Sequence, residues 1–483
     1  MNRNLSMLSA TFREMGRRLG PAFSLDLHAL ALFRIALGSV LLIDLLIRLS
    51  DFPAHYSEVG VMPLSEAAAF SSAVPLLPMH LVHHGNVWQA GMFGLGLLFS
   101  IGVIAGFFTR GCLLGLWLVL GAIHARNPLV LYGADTLLLC LLFWSFFLPL
   151  GARWGLDAAR YGWQGLSAVN PVGSAAYVCQ IAVVYFFSFL SKTGESWRNG
   201  EAVGLVLQLD QYTSRLGAQV LSYPGLLEWL TWFTLGIELI APLLLLVPKM
   251  KVRIFGVLML GVMQIGFAVL MELGLFPFVS LIALIPFLRV QREANLKTQG
   301  RFESRRLVLW REGLALVCLG IMLLWNIGVS RVEFQRTRLK SILPGPLVGV
   351  VERLRLDQSW SMFSPDPPVD DGWLVFEGTL SSGQQVDLRS PQNGLSWEKP
   401  ENVSSSFLGD RWKAYLLNLV QRGLSWRSMA EFLVAEWDES HSTEQKIAAL
   451  RITYMKEQTL SLGHSSVEKI TLFEMEEEEP ISE

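Results

Sequence analysis

The sequence predicts an α-helical polytopic membrane protein with about nine spans, followed by a C-terminal extracytoplasmic β-rich α+β domain. Of the 483 residues, 52% are hydrophobic and only 17% are charged, and the mean hydropathy is +0.41. Such values are typical of integral membrane proteins. Long apolar segments recur as far as residue 330, whereas the composition beyond that point is that of a soluble domain.

Residues 1–26 predict a helix that lies on the inner membrane surface. Arg3, Arg13, Arg17 and Arg18 alternate there with large apolar residues at helical spacing. No short apolar run with a cleavage site follows these arginines, so the segment does not predict a secretory signal.

Nine apolar segments follow, with lengths suited to membrane spans. They are residues 27–49, 85–107, 111–125, 129–150, 174–192, 225–247, 253–272, 273–290 and 310–330. Lysine and arginine gather in the loops of one side, for example at Arg153, Lys251 and Arg305, while residues 51–87 contain neither. The positive-inside rule therefore predicts a cytoplasmic N-terminus and a periplasmic C-terminal domain, in a bacterial inner (cytoplasmic) membrane.

The predicted extracytoplasmic domain, residues 331–460, contains both strand and helix patterns. Strands are predicted at 373–380, 385–388, 447–454 and 469–473, and helices at 412–422 and 425–436. The first two strands are joined by Ser-Ser-Gly and predict a hairpin. Residues 461–483 predict the last strand and a solvated acidic tail that includes Glu474 and Glu476 to Glu479.

Two segments on the predicted outer side are amphipathic. Residues 51–87 are apolar enough to rest on the bilayer, and their His80, His83 and His84 lack the further ligands that a metal site needs. Residues 201–221 predict an amphipathic segment that would roof a cavity beside Lys192. Its apolar face comprises Leu205, Leu209, Tyr212, Leu216 and Val220.

The composition also excludes several functions. Basic residues do not form the concentrated patch that nucleic-acid binding requires. The expected partners are therefore membrane lipids and not nucleic acid. The four cysteines lie in apolar segments without the spacing of a zinc site or a disulfide framework, and no metal is expected. No inverted repeat supports a transporter.

Lys192 marks the candidate site, because ionisable residues inside a membrane are costly and need partners. It closes the apolar run QIAVVYFFSFLS, where it is either a functional group or a snorkelling anchor with its ammonium among the headgroups. Desolvation favours the neutral amine of such a lysine, which is then a general base, whereas a neighbouring carboxylate favours the ammonium.

Other polar residues in the predicted spans are candidates for an outer-half pocket around Lys192. They are Asp44, Asn127, Tyr132, Asp135, Gln264 and Glu272, and Glu238 is a further carboxylate in the sixth span. Asp135 and Glu272 are predicted at a depth similar to that of Lys192. Asp44 and Arg48 lie four residues apart on one helix face. As an alternative to a place in the pocket, their opposite charges would only neutralise each other.

Several separated runs resemble the HTTM family, the bacterial relatives of the vitamin K-dependent γ-glutamyl carboxylase. They are LFRIALGSVLLIDLL at 32–46, RNPLVLYGADTLL at 126–138, YFFSFLSKTGESWRNGEA at 185–202, ELIAPLLL at 238–245, GLFPF at 274–278 and LDQSWSMFSPDPPVDDGW at 356–373. Their order, and their spread over about 27–425, are more specific than any one short pattern. The resemblance implies an HTTM-like transmembrane domain at 27–330.

The resemblance also implies a chemistry. In the animal carboxylase a membrane-embedded lysine deprotonates vitamin K hydroquinone, and oxygen converts the quinol to a strongly basic alkoxide. The alkoxide removes a γ-proton from a glutamate side chain, which then takes up carbon dioxide. Lys192 and Trp197 match the spacing of the lysine and the tryptophan that follows it, so Lys192 is the candidate catalytic base.

The implied pocket residues for the quinol are Asn127, Tyr132, Asp135, Trp197, Gln264 and Glu272. Reduced vitamin K or another quinol is the implied cofactor, with oxygen and carbon dioxide as co-substrates. A protein or peptide on the periplasmic side is the implied substrate.

This chain departs from the carboxylase pattern at two positions. Pro128 follows Asn127 where the carboxylase has a histidine, and Gln264, which carries no proton at ordinary pH, corresponds to a second histidine. The departures leave open a quinol-directed oxygenation, a different substrate, and binding without chemistry.

An alternative of another class is a non-catalytic scaffold or a quinone or lipid binder. Its partner surface, or otherwise a domain core, would consist of Trp360, Met362, Phe363 and Trp373.

Overall fold

The computed structural model describes most of the chain. The described residues are 23–71, 85–161, 171–247, 249–288, 305–331, 344–389, 394–459 and 465–476. The predicted surface helix up to residue 22, the three histidines at 80–84 and the acidic residues at 477–479 lie outside the described residues.

Helices occupy each of the nine predicted membrane segments. In the described ranges they are α1 Leu27–Ser50, α2 Asn86–Ala105, α3 Thr109–Arg126, α4 Gly133–Ser145, α5 Pro171–Ser191, α6 Pro224–Leu246, α7 Met250–Leu270, α8 Phe276–Leu284 and α9 Arg305–Arg331. Six of them, α1, α2, α5, α6, α7 and α9, include segments long and apolar enough to cross a membrane. The chain is therefore a multi-pass membrane protein, while the count of nine spans and the orientation stay predictions.

Helices α4 and α8 are too short to cross a bilayer alone. A crossing needs about 20 helical residues, whereas α4 has 13 and α8 has 9. Pro128 stands in the irregular segment before α4, and Pro277 lies in the first turn of α8, where its missing N–H is not needed. The breaks leave irregular backbone inside the membrane domain, which other segments must satisfy.

Helices α1 and α5 form the centre of the membrane domain. The apolar window of α5 is 72% buried and that of α1 is 56% buried, against 33% to 39% for α2, α6, α7 and α9. The latter four helices therefore present a large apolar surface to lipid. Gly38 permits a close approach of α1 to α2, because a Cβ atom there would lie 2.7 Å from Ile104 Cγ1.

Short helices connect the membrane helices on the side predicted to face outward. They are Phe52–His55, Leu64–Ser71, Glu195–Arg198, Ala202–Leu207 and Arg215–Val220. The single apolar face predicted for residues 201–221 is wrong. The helix stops after Leu207, because the Thr213 hydroxyl donates hydrogen bonds to the carbonyl groups of Leu207 and Leu209. Leu209 is fully buried but Leu216 is 53% exposed, so the predicted apolar face does not form.

A four-stranded antiparallel sheet forms the centre of the C-terminal domain. Its strands are β1 Asp370–Leu380, β2 Gln385–Asp387, β3 Ile447–Thr459 and β4 Ser465–Glu476, in the order β2-β1-β3-β4. Helices α10 Gly345–Arg353, α11 Asp410–Arg422 and α12 Arg427–Ser440 accompany it. The predicted hairpin, the two further strands and the two helices are confirmed.

The prediction that Glu474 and Glu476 belong to a solvated tail is wrong. Strand β4 includes both residues. Glu474 lies opposite Arg451 on β3 and accepts hydrogen bonds from its Nε and Nη2 atoms at 3.0 and 2.6 Å. The cross-strand ion pair extends the sheet into the acidic segment.

Helix α11 joins the C-terminal domain to the membrane domain. The Tyr415 hydroxyl donates to the Val61 carbonyl at 2.8 Å, and Asn418 Nδ2 donates to the Leu129 carbonyl at 2.9 Å. The Lys413 ammonium donates to the carbonyl of Glu272 at 2.7 Å. These bonds satisfy carbonyl groups in the segments that connect α1 with α2, α3 with α4 and α7 with α8.

Candidate functional site

Lys192 follows the last residue of α5, and its amine is enclosed by protein. The side chain is 3% exposed. Nζ donates to Ser188 Oγ, one turn earlier, at 2.6 Å and to Glu238 Oε1 on α6 at 2.9 Å. It lies 5.0 Å from the ring centroid of Trp197. The aromatic face and the carbonyl end of α5 both favour a cation at this position.

Glu238 supplies the carboxylate of this site. Both of its oxygens lie 2.9 Å from Lys192 Nζ, and the Ser188 hydroxyl donates to Oε1 at 3.0 Å. Glu238 lies on the buried face of α6, with Thr231, Thr234 and Ala241 at helical spacing. A carboxylate in an apolar helix needs a charged or hydrogen-bonding partner, and the Lys192 amine is that partner.

The contact with Glu238 shows how deep Lys192 lies. Glu238 comes 14 positions after Pro224, the first residue of α6. At ~1.5 Å per residue, that is about 21 Å along the helix. The Lys192 amine is thus alongside the interior of α6, whereas a snorkelling anchor would have its ammonium among the headgroups.

A loop of the C-terminal domain covers the Lys192 site, and we call residues 363–366 the covering loop. The contacts are Ser191 Oγ with Ser364 Oγ (3.0 Å), the Gly194 N–H with the Pro365 carbonyl (3.0 Å), the Ser196 N–H and hydroxyl with Asp366 Oδ1 (2.9 and 2.5 Å), and the Trp197 indole N–H with the Phe363 carbonyl (2.9 Å). Glycine is required at 194, because a Cβ atom would lie 2.0 Å from the Asp366 carboxylate. The runs SKTGESW and MFSPDP of the sequence therefore meet in the structure.

Gln264 lies deeper in the same bundle, next to Tyr185. Tyr185 precedes Lys192 by seven residues and therefore shares its face of α5. Gln264 is 1% exposed, and its Nε2 donates to the Tyr185 hydroxyl at 3.3 Å. Among the described residues, nothing donates a hydrogen bond to Gln264 Oε1. Gln264 therefore supplies a buried acceptor oxygen without a donor, whereas the Lys192 ammonium lies 2.9 Å from Glu238 Oε2.

Asp135 and Glu272 are predicted at a depth similar to that of Lys192, but in the described part of the chain neither carboxylate forms an ion pair with it. Asp135 is in the first turn of α4, where it accepts from the Tyr132 N–H at 2.8 Å and from two guanidinium groups. Glu272 follows the end of α7, and its N–H donates to the Tyr212 carbonyl at 2.7 Å.

Asp135 belongs to a second buried site, which we call the ion ring. It consists of Asp44 and Arg48 on α1, Asp135 on α4 and Arg411 on α11. Arg48 donates to Asp44 Oδ2 at 2.9 Å and to Asp135 Oδ1, and Arg411 donates to Asp135 Oδ2 at 2.6 Å and to Asp44 Oδ1. The four side chains are at most 2% exposed. Two positive and two negative charges therefore balance each other in a closed arrangement.

Tyr132 and Asn127 lie next to this ion ring. The Tyr132 ring centroid is 4.7 Å from Arg411 Cζ, and its hydroxyl accepts from the Leu275 N–H at 3.1 Å. Asn127 Nδ2 donates to the His55 carbonyl at 3.3 Å. Burial disfavours the charge of Arg411, but the carboxylates of Asp135 and Asp44 raise its pKa above the usual value. Tyr132 thus contacts the C-terminal domain through Arg411, whereas Asn127 bonds within the membrane domain.

The comparison with protein families bears on the membrane domain. A model of the HTTM domain matches residues 24–291, which is more than half of the chain. The chain belongs to the HTTM family. The predicted resemblance to that family is confirmed. No curated protein and no solved structure matches the chain significantly.

The HTTM region contains Lys192, Ser188, Glu238, Trp197 and Gln264, but it does not enclose them alone. The covering loop comes from residues beyond the HTTM match, as does Arg411 of the ion ring. The enclosed site therefore depends on both domains.

Three carboxylates, Asp210, Asp371 and Glu457, cluster between the HTTM region and the sheet, with one oxygen of each within 4.8 Å of the others. Lys399 Nζ lies 2.5 Å from oxygens of Asp210 and Glu457, so an ammonium already serves as the cation here. Burial is the main cause that raises the pKa of Asp371, and together with the charges of Asp210 and Glu457 it brings this pKa to about 7. Sequence reasoning missed this cluster because its members are far apart in the chain and show no ligand spacing. The expected absence of a metal stays a prediction.

Proposed function

We propose that this HTTM protein binds a reduced quinone beside Lys192 and that Lys192 deprotonates it. The observation that supports this most is the enclosed amine, which is bonded to Ser188 and Glu238 under a loop of the other domain. Ionisable groups at membrane depth are costly and are typically functional. The proposal includes a relationship to the vitamin K-dependent γ-glutamyl carboxylase, and a bacterial inner membrane with the C-terminal domain in the periplasm.

The residues near Lys192 fit a quinol better than an oxidised quinone. Gln264 Oε1 is a buried acceptor to which no described residue donates. A buried acceptor without a donor costs about 1–3 kcal/mol. A quinol offers two hydroxyl donors, whereas an oxidised quinone offers only acceptors. Vitamin K hydroquinone is the quinol we propose first.

Each residue of the site has a role in the proposal. Lys192 takes the hydroxyl proton, Gln264 accepts a hydrogen bond, and Trp197 borders the amine with its ring. The covering loop excludes water, which strengthens the electrostatic interactions inside. When bound, the quinol supplies the electrons for reaction with oxygen, and carbon dioxide is the co-substrate of a coupled carboxylation of a periplasmic protein or peptide.

The proposed pocket is smaller than the one predicted from the sequence. Asn127, Tyr132 and Asp135 engage the ion ring or its surroundings, and the Glu272 carbonyl binds Lys413. We therefore assign these four residues a supporting position behind the pocket.

The test uses membranes that contain the protein, vitamin K hydroquinone and oxygen. The unchanged protein and the control Lys251→Ala, an exposed lysine at the start of α7, should form the epoxide, and Lys192→Ala should form none. Labelled carbon dioxide in the same assay reports a coupled carboxylation. The absence of both quinol binding and epoxide in the unchanged protein would exclude the proposal.

A second candidate is quinone or lipid binding without chemistry. Pro128 and Gln264, at positions where the carboxylase has histidines, favour it. Its predicted partner surface finds no support, since Trp360 and Trp373 are only 3% and 4% exposed and belong to the domain core. Binding of the quinol without any epoxide under oxygen would favour this candidate.

A further inference from the structure

Lys192 cannot accept a proton while it is the ammonium of an ion pair, so a base role requires a place for its own proton. In the described part of the chain, Glu238 is the carboxylate within hydrogen-bond distance of Nζ. Asp135 is bonded to two guanidinium groups, and Asp366 is bonded to Ser196. The structure thus leaves Glu238 as the group that can exchange a proton with Lys192 directly.

We propose that Glu238 is the proton acceptor that makes Lys192 a base, an inference that rests on the proposed function. Lys192 Nζ passes a proton to Glu238, so that an N–H bond breaks, an O–H bond forms and both groups become neutral. The amine then takes the hydroxyl proton of the quinol, and the electron pair of that bond stays on the quinol oxygen. Lys192 is again an ammonium next to this negative oxygen, and the proton removed is stored on Glu238.

The two oxygens of Glu238 are not equivalent in this step. Oε1 accepts from both the Ser188 hydroxyl and Lys192 Nζ. Oε2 lies equally close to Nζ at 2.9 Å and has no bond from Ser188, so the Lys192 amine is its partner among the described residues. Oε1 is already shared by two donors, whereas Oε2 faces the amine alone. Oε2 therefore receives the proton, and Ser188 holds the carboxylate in place.

The burial of Lys192 and Glu238 makes the proton transfer between them feasible. The side chains of Lys192 and Glu238 are 3% and 5% exposed. Loss of solvation penalises an ammonium and a carboxylate together, so the neutral amine and acid come closer in free energy to the ion pair than they do in water. The negative quinol oxygen then gains the ammonium as its partner.

The experiment compares purified protein in lipid nanodiscs with the variants Glu238→Gln and Glu238→Asp. A matched control is Glu228→Gln, which changes an exposed glutamate of the same helix. Quinol binding is measured without oxygen by tryptophan fluorescence, and epoxide formation is measured with oxygen. We expect Glu238→Gln to bind vitamin K hydroquinone within about threefold of the unchanged protein and to form epoxide about 100-fold more slowly. Glu238→Asp should retain part of the rate.

A spectroscopic measurement on the unchanged protein tests the same proton transfer and does not depend on whether a variant folds. Infrared difference spectra of the unchanged protein, with and without quinol under nitrogen, should show the carbonyl stretch of a newly protonated carboxylic acid. Where Glu238→Gln folds, this band should be missing from it.

The outcomes separate this inference from the function on which it rests. Quinol that neither binds nor reacts would remove both. Quinol that binds and reacts without the carboxylic acid band, or a Glu238→Gln rate equal to or above that of the unchanged protein, would remove the role of Glu238 alone. The latter result would mean that the carboxylate only restrains the amine.

Discussion

Arg411 of the C-terminal domain donates a hydrogen bond to Asp44 of the first membrane helix, 367 positions earlier in the chain. Arg48 and Asp135 complete the ion ring around this contact. The domain that contributes Arg411 also contributes the covering loop above Lys192. The C-terminal domain is therefore built into the membrane domain at two places, at the ion ring through α11 and at the Lys192 site through the covering loop.

Arg411→Met should strongly destabilise the protein. It leaves the two buried carboxylates with one guanidinium, and removing one partner of a buried ion pair costs about 3–5 kcal/mol. The stability of Arg411→Lys should lie between that of Arg411→Met and that of the unchanged protein, because an ammonium cannot bridge both carboxylates as the planar guanidinium does. Thermal unfolding in detergent or nanodiscs measures the effect. Arg427→Met is the control, since its pair with Glu431 is 74% and 61% exposed and is worth at most about 1 kcal/mol. Equal stability of the Arg411→Met and Arg427→Met variants would contradict the prediction.

Local patterns predicted most of the elements correctly. Apolar length located the membrane helices, and Ser-Ser-Gly between two apolar strands located the β1–β2 hairpin, because each signal lies within a few residues of the structure that it specifies. The prediction for 201–221 failed because Thr213 bonds the carbonyls that would continue the helix. That competing interaction is not visible in apolar periodicity.

The partners within the candidate site could not be predicted in the same way. Lys192 stood out as a charge at the end of an apolar run, but its partner depends on how far α5 extends along α6. Counting depth from loop positions placed Asp135 and Glu272 near Lys192, whereas helix packing brings it to Glu238. Arg411 lies at the start of a helix whose composition is typical of a soluble domain. The residues next to it in the sequence do not indicate that its side chain inserts among membrane helices.

Asp366→Ala should uncover Lys192. The Asp366 carboxylate accepts both the N–H and the hydroxyl of Ser196, and a hydrogen bond to a charged group contributes about 1.5–3 kcal/mol. Its loss should loosen the covering loop and admit water to the amine. Labelling by an amine-reactive reagent, followed by mass spectrometry, should show faster modification of Lys192. Asp366→Asn keeps the acceptor oxygen and is the matched control. Unchanged labelling of Asp366→Ala would show that the loop does not control access.

Stability should depend on pH through Asp371. Burial raises its pKa from 3.8 to about 7 in the folded protein, so between these values the folded state binds the proton more strongly than the unfolded state. Its contribution to stability is therefore fully present below about pH 4 and is lost as the pH rises toward 7. Asp371→Asn should reduce the difference in melting temperature between pH 5 and pH 8. The control Asp370→Asn changes a neighbour that is 41% exposed. Identical pH profiles for Asp371→Asn and the unchanged protein would contradict the assignment.

Gly274→Ala should destabilise the contact between the membrane domain and α11. Gly274 has a φ of +59°, which disfavours any residue with a Cβ atom, and that atom would lie 2.6 Å from Asp410 Oδ2 and 2.7 Å from the Tyr132 hydroxyl oxygen. The strain and the displaced side chains should cost more than about 1 kcal/mol. Gly261→Ala on α7 is the control, because open space surrounds that position and alanine gains about 0.5–1 kcal/mol over glycine inside a helix. Thermal unfolding should therefore shift in opposite directions for the two variants. If Gly274→Ala melted at or above the temperature of the unchanged protein, the close approach of these segments would not be the constraint that we infer.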